Sequence, residues 1–112
     1  MPRYLLLLHG DEPAEERLTD DERRSIVEAH LALIRELSEA GKLVASEALT
    51  HSSRAKVVRR RGVTDGPFAE TKEVVGGFYL VECADDAAAV ALAGRILQSP
   101  GLAVEVRAVA DV

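Results

Sequence analysis

The segment Tyr4-Leu-Leu-Leu-Leu8 is apolar at every position, and no other feature restricts the fold as much. Successive side chains of a strand point to opposite faces, so a strand apolar in both registers requires cover on both sides. Phe78-Tyr-Leu-Val81 repeats the pattern. A chain of 112 residues has room for one domain, spanning 1–112, and for few helices. If those helices cover one face of a sheet, the other face is apolar and bare, which is costly in water. Packing two such faces together removes the cost, so the sequence predicts a two-fold homodimer.

The order of elements specifies the sheet. After the first strand, His9-Gly-Asp-Glu-Pro13 reads as a stop. Thr19-Asp-Asp-Glu22 has the form of a capping box, in which Thr19 accepts from a free first-turn amide and Glu22 reaches back to the Thr19 amide. The helix it opens runs to about Ala40, with Gly41 as its stop. Ile26, Val27, Leu33, Ile34 and Leu37 form one stripe at helical spacing. Strands are expected over 42–49, 54–60, 74–83 and 103–109, with a turn at Val63-Thr-Asp-Gly-Pro67 and a second helix from Asp85 toward Gln98. Gly76-Gly77 reads as a bulge or a close backbone approach. The resulting order, β-α-β-β-(β)-α-β, is an α+β, ferredoxin-like arrangement with both helices on one face of an antiparallel sheet.

Composition narrows the function. The net charge is −5 and aromatics make up 4%, so neither a basic face nor a stacking surface for nucleic acid is expected. Arg59-Arg-Arg61 is a solvated strand end in the plain reading, or a contact for a small anion or acidic partner in the sharper one. Cys83 is the single cysteine, which leaves no intrachain disulfide and reads as a small core residue. No apolar run reaches membrane-spanning length or forms a signal-peptide core, and a cytoplasmic location is expected. No nucleotide-binding glycine pattern or nucleophile elbow occurs, and neither a cofactor nor a metal is expected.

Thr64-Asp-Gly-Pro-Phe-Ala-Glu-Thr-Lys-Glu73, followed by Gly76-Gly-Phe-Tyr-Leu-Val81, resembles the DGPF branch of the YCII-related family. The opening strand with its Gly10-Asp-Glu12 loop and the final Val104-Glu-Val-Arg107 are similar to the same branch. Glu28-Ala-His-Leu-Ala-Leu33 resembles the helix of the YciI-type proteins. The resemblance implies a dimeric α/β barrel. It also implies either a small-molecule enzyme, as in a related dehydrochlorinase acting on a chlorinated hydroxyquinol, or association with extracytoplasmic-function sigma factors. The histidine of a His–Asp pair read as a possible active site in YciI-type proteins matches His30. The acidic residue nine positions on is Glu39, about half a turn away around the helix and unable to pair with it.

His30 is also singled out by periodicity, because it projects from within the apolar stripe of its helix. It suits general acid–base chemistry at neutral pH, or is a hydrogen-bonded packing residue. Asp11, Asp65 and Glu70 are candidate carboxylate partners. Asp65 could orient His30, bind a ligand hydroxyl or hold an Asx-turn. His9, Asp11, Phe68 and Glu70 are candidate ligand contacts, with a solvated loop, an apolar wall and a charged hairpin as the plain alternatives. Two functions follow. One is a cofactor-independent acid–base enzyme performing proton abstraction or elimination on a small polar molecule; the other is a ligand-binding or regulatory module partnered with a sigma factor.

Overall fold

The computed structural model describes residues 1–69 and 71–111. Its elements run β1 (Arg3–Asp11), α1 (Glu12–Glu16), α2 (Asp20–Glu39), β2 (Leu43–Ala48), a 3-10 turn (Ser52–Arg54), β3 (Lys56–Arg59), β4 (Gly62–Asp65), β5 (Glu73–Glu82), α3 (Asp86–Gly94) and β6 (Ala103–Ala108). The four-stranded sheet has the order β2-β5-β1-β6, antiparallel throughout. This is the ferredoxin-like order, with β3 and β4 set apart as a two-stranded hairpin.

The capping box forms: Glu22 N donates to Thr19 Oγ1 at 3.1 Å, and Thr19 N donates to Glu22 Oε1 at 2.9 Å. At the far end Gly41 takes a left-handed φ of 70°, which lets the chain reverse into β2 without a Cβ clash. Leu33 and Leu37 of α2 and Ala89 and Leu92 of α3 pack on one side of the sheet against Tyr4, Leu6, Tyr79 and Val81. Leu6, Val81 and Ile96 are fully buried. Outside this core, Arg95 of the α3 C-cap makes two hydrogen bonds to the Glu36 carboxylate, tying the two long helices together.

Leu5 pairs with Leu80 and Leu7 with Phe78 in the β1–β5 ladder. All four lie in the register opposite to the core and are half-buried. The two-faced pattern of the sequence therefore appears as an apolar face turned away from the helices.

Three local features differ from expectation. His9 to Pro13 is not an irregular stop: β1 continues to Asp11 and passes directly into α1. Asp11 caps that helix, and Pro13 occupies its first turn, where a missing N–H costs nothing. The segment expected as a turn at 63–67 begins as strand β4, because the reversal comes earlier, at Arg60-Arg61, and Gly62 already pairs with Arg59. The second helix stops at Gly94 rather than near Gln98. Gly76-Gly77 behaves as expected: the register slips there, Leu8 facing Gly77 and His9 facing Val75. A Cβ on Gly77 would stand 3.0 Å from the Glu47 carbonyl oxygen.

Among the described residues, no helix is long and apolar enough to cross a membrane.

Candidate functional site

His30 sits midway along α2, half-buried, on the side facing the sheet. Its Nδ1 lies 2.6 Å from the Tyr79 hydroxyl on β5, and the rings meet at 31° with centroids 6.0 Å apart. Tyr79 is in the core-facing register of its strand and 2% exposed. Burial lowers the His30 pKa and pushes the Tyr79 hydroxyl up to about 12. The imidazole is thus neutral and the phenol protonated at neutral pH. Nε2 of His30 hydrogen-bonds no described residue.

Both side chains line a cavity of about 320 Å³ between α2 and the sheet. Leu8, Val27, Ile34 and Leu102 form its apolar wall, while Ser46, Ser99 and Glu15 add polar groups. Glu15 comes from α1, the short helix that Asp11 and Pro13 start. Its Oε1 lies 2.6 Å from where a Cβ on Gly10 would be, so the glycine makes room for the carboxyl over the strand. Desolvation raises the Glu15 pKa, and the nearby Glu12 and Asp11 charges raise it further.

The other sequence candidates lie elsewhere. Asp11 accepts from Ala14 N at 3.1 Å and faces Lys72 Nζ at 3.3 Å. The helix-start hydrogen bond, with help from Lys72, holds its carboxyl below the usual range despite desolvation. Asp65 pairs with Lys56 across the exposed hairpin and lines neither this cavity nor the larger one beside it. That second, open cavity, about 850 Å³, brings His9 and Phe68 together with His51 and Lys72. His9 Nε2 is 2.9 Å from Glu105, and Phe68, 78% exposed, carries the Arg59 guanidinium 5.3 Å above its ring. Glu70 lies outside the described residues. Glu39 is exposed at the C-terminal end of α2. The partner of His30 is therefore a tyrosine, and neither Asp11 nor Asp65 reaches it.

Tyr79 and Glu15 are the site residues that sequence reasoning missed. For Tyr79 a signal existed, since it shares the register of Val81 and so faces the helix that carries His30. Glu15 lies between the expected stop at His9–Pro13 and the capping box at Thr19, where no element was expected. Its only signal was Asp11 two residues before Pro13, the pattern of a capped helix start.

A family model described as the YCII-related domain matches residues 3–110. An uncharacterised protein of Rhizobium meliloti (strain 1021) is 36% identical over 85 residues, which cover 72% of this chain and 68% of that protein. With the ferredoxin-like sheet and a match over nearly its whole length, the chain belongs to the YCII-related domain family.

Proposed function

We propose that the cavity under α2 is the active site of a cofactor-independent acid–base enzyme in which His30 takes a proton from a small molecule. The observation that carries this reading is the 2.6 Å contact between His30 Nδ1 and Tyr79 at the cavity wall. With Nδ1–H donating to the Tyr79 oxygen, Nε2 keeps its lone pair as the base. Burial favours the neutral ring and so leaves that lone pair available at neutral pH. In proton abstraction, Nε2 accepts the proton, and the electrons of the broken bond delocalise into the substrate or expel a leaving group. The resulting imidazolium keeps its Nδ1–H bond to Tyr79. Asp65 takes no part in this reading.

The reading includes a homodimer of the DGPF branch, joined through the face carrying Leu5, Leu7, Phe78 and Leu80. It also places the protein in the cytoplasm, where the buried free thiol of Cys83 suits a reducing medium.

Deuterium wash-in tests the chemistry. Small ketones, amino ketones and phenols would be incubated with the protein in heavy water, and ligand C–H signals followed by NMR. The expected result is catalysed exchange of at least one compound, lost in His30→Gln. Exchange that persists in that variant, or fails across the whole panel, removes the enzyme reading.

A further inference from the structure

We infer that Glu15 makes this cavity selective for cationic nitrogen, so that the molecule it takes has an apolar body and a protonated amine. The inference deepens the proposed function and rests on its premise that the cavity under α2 binds a ligand.

Three observations point the same way. First, the Glu15 carboxyl is turned over β1 into the cavity, in space that exists because residue 10 has no Cβ. Second, it hydrogen-bonds no described residue, whereas the carboxylates around it are engaged. Asp11 holds Ala14 N and Lys72, Glu12 holds Ser52, and Glu16 holds His51. Third, no lysine or arginine lines the cavity among the described residues, and burial keeps His30 neutral.

Arg17, the C-cap of α1, does not line the cavity, and the Arg23 guanidinium donates to the backbone carbonyls of Glu15 and Glu16 rather than to the Glu15 side chain. Arg23 lines a neighbouring groove, which Gly10 and Glu15 also border, and is absent from the lining of the cavity. An ammonium group placed against Glu15 would form a charge-assisted hydrogen bond in partly desolvated surroundings, where such bonds are strongest. The negative charge of Asp11 and Glu12 behind Glu15 adds to the attraction. A carboxylate or phosphate would meet the Glu15 charge with no lysine or arginine among the described lining residues to offset it. Leu8, Val27, Ile34 and Leu102 then cover the apolar body, in a volume at the small end of the range for ligand sites.

Three probes of matched size separate the possibilities: benzylamine, benzyl alcohol and benzoate. Each would be titrated at neutral pH into the full chain while the His30 and Tyr79 ring resonances are followed. Benzylamine should bind about tenfold or more tighter than benzyl alcohol, with benzoate weakest. Glu15→Gln should bring the amine down to the level of the alcohol and leave the alcohol unchanged. Gly10→Ala, whose methyl would take the space of Oε1, should do the same without changing the charge of the chain. Equal affinity for amine and alcohol in the wild type, or a preference that survives Glu15→Gln, overturns this inference alone. If none of the probes moves either ring, the premise that the cavity binds ligands falls with it.

Discussion

The Tyr79 hydroxyl and His30 Nδ1, 49 residues apart in sequence, meet at 2.6 Å, linking an inner strand of the sheet to the middle of the longest helix. Neither ring has another side-chain partner among the described residues. Tyr79→Phe should therefore cost about 1–2 kcal/mol of stability, the usual range when a half-buried polar group loses its partner. Denaturant unfolding measures the loss, and nitrogen shifts of His30 in the wild type should show the proton on Nδ1. A proton found on Nε2 would contradict the base assigned here.

Stability should fall in mild acid. The folded-state pKa of His30 lies below its ordinary value of 6.5, so the unfolded chain binds the proton first as pH drops. The His30 contribution is complete above pH 6.5 and is lost as pH falls from there toward the folded-state pKa. Glu15 has the opposite sign: its raised pKa favours the folded state when protonated, and that contribution is lost as pH rises past the ordinary glutamate range. Urea midpoints at constant salt should thus drop more for wild type than for His30→Gln between neutral pH and the lower bound of the histidine window. Parallel curves for the two proteins would remove His30 as the cause.

Leu6 and Leu7 are neighbours with different tasks. Leu6 is fully buried beneath the helices, while Leu7 faces Phe78 on the other side. Leu6→Ala should destabilise the fold by about 2–5 kcal/mol. Leu7→Lys should leave the helical core intact and shift the assembly toward monomer, as read by sedimentation at micromolar concentration. A stable wild-type monomer would sink the homodimer proposal.

The two glycines of the bulge are also unequal. A Cβ on Gly77 would press on the Glu47 carbonyl at 3.0 Å, whereas one on Gly76 meets nothing within 4 Å. Gly77→Ala should cost about 1 kcal/mol or more, and Gly76→Ala much less. Thermal unfolding of the pair gives the comparison, and equal losses would mean that the contact with β2 is not the constraint.

Much of the fold was legible because its signals are local. Thr19 and Glu22 mark one helix end, Gly41 the other, and the apolar runs of β1 and β5 announce a sheet needing cover on both faces. Helix periodicity likewise placed His30 toward the sheet. Its partner was marked only by the register of Tyr79, because a phenol on an apolar strand reads as core. The 3.6-residue stripe also overstated burial at Val27, which is 54% exposed and borders the cavity instead. Five-residue α1 was hidden because its polar residues carry no apolar period. Asp65 and Phe68 stood out as a sequence cluster, but the hairpin keeps them away from α2, a separation that only chain topology determines.

Asp11 gives one last consequence. It begins α1 through Ala14 N, meets Lys72 just before β5, and lies so close to Gly101 that a Cβ there would come within 2.9 Å of its own. Three distant stretches of sequence thus share one small side chain as their mechanical joint. Removing the Asp11 carboxylate would therefore release the start of α1 and the Lys72 contact in a single change.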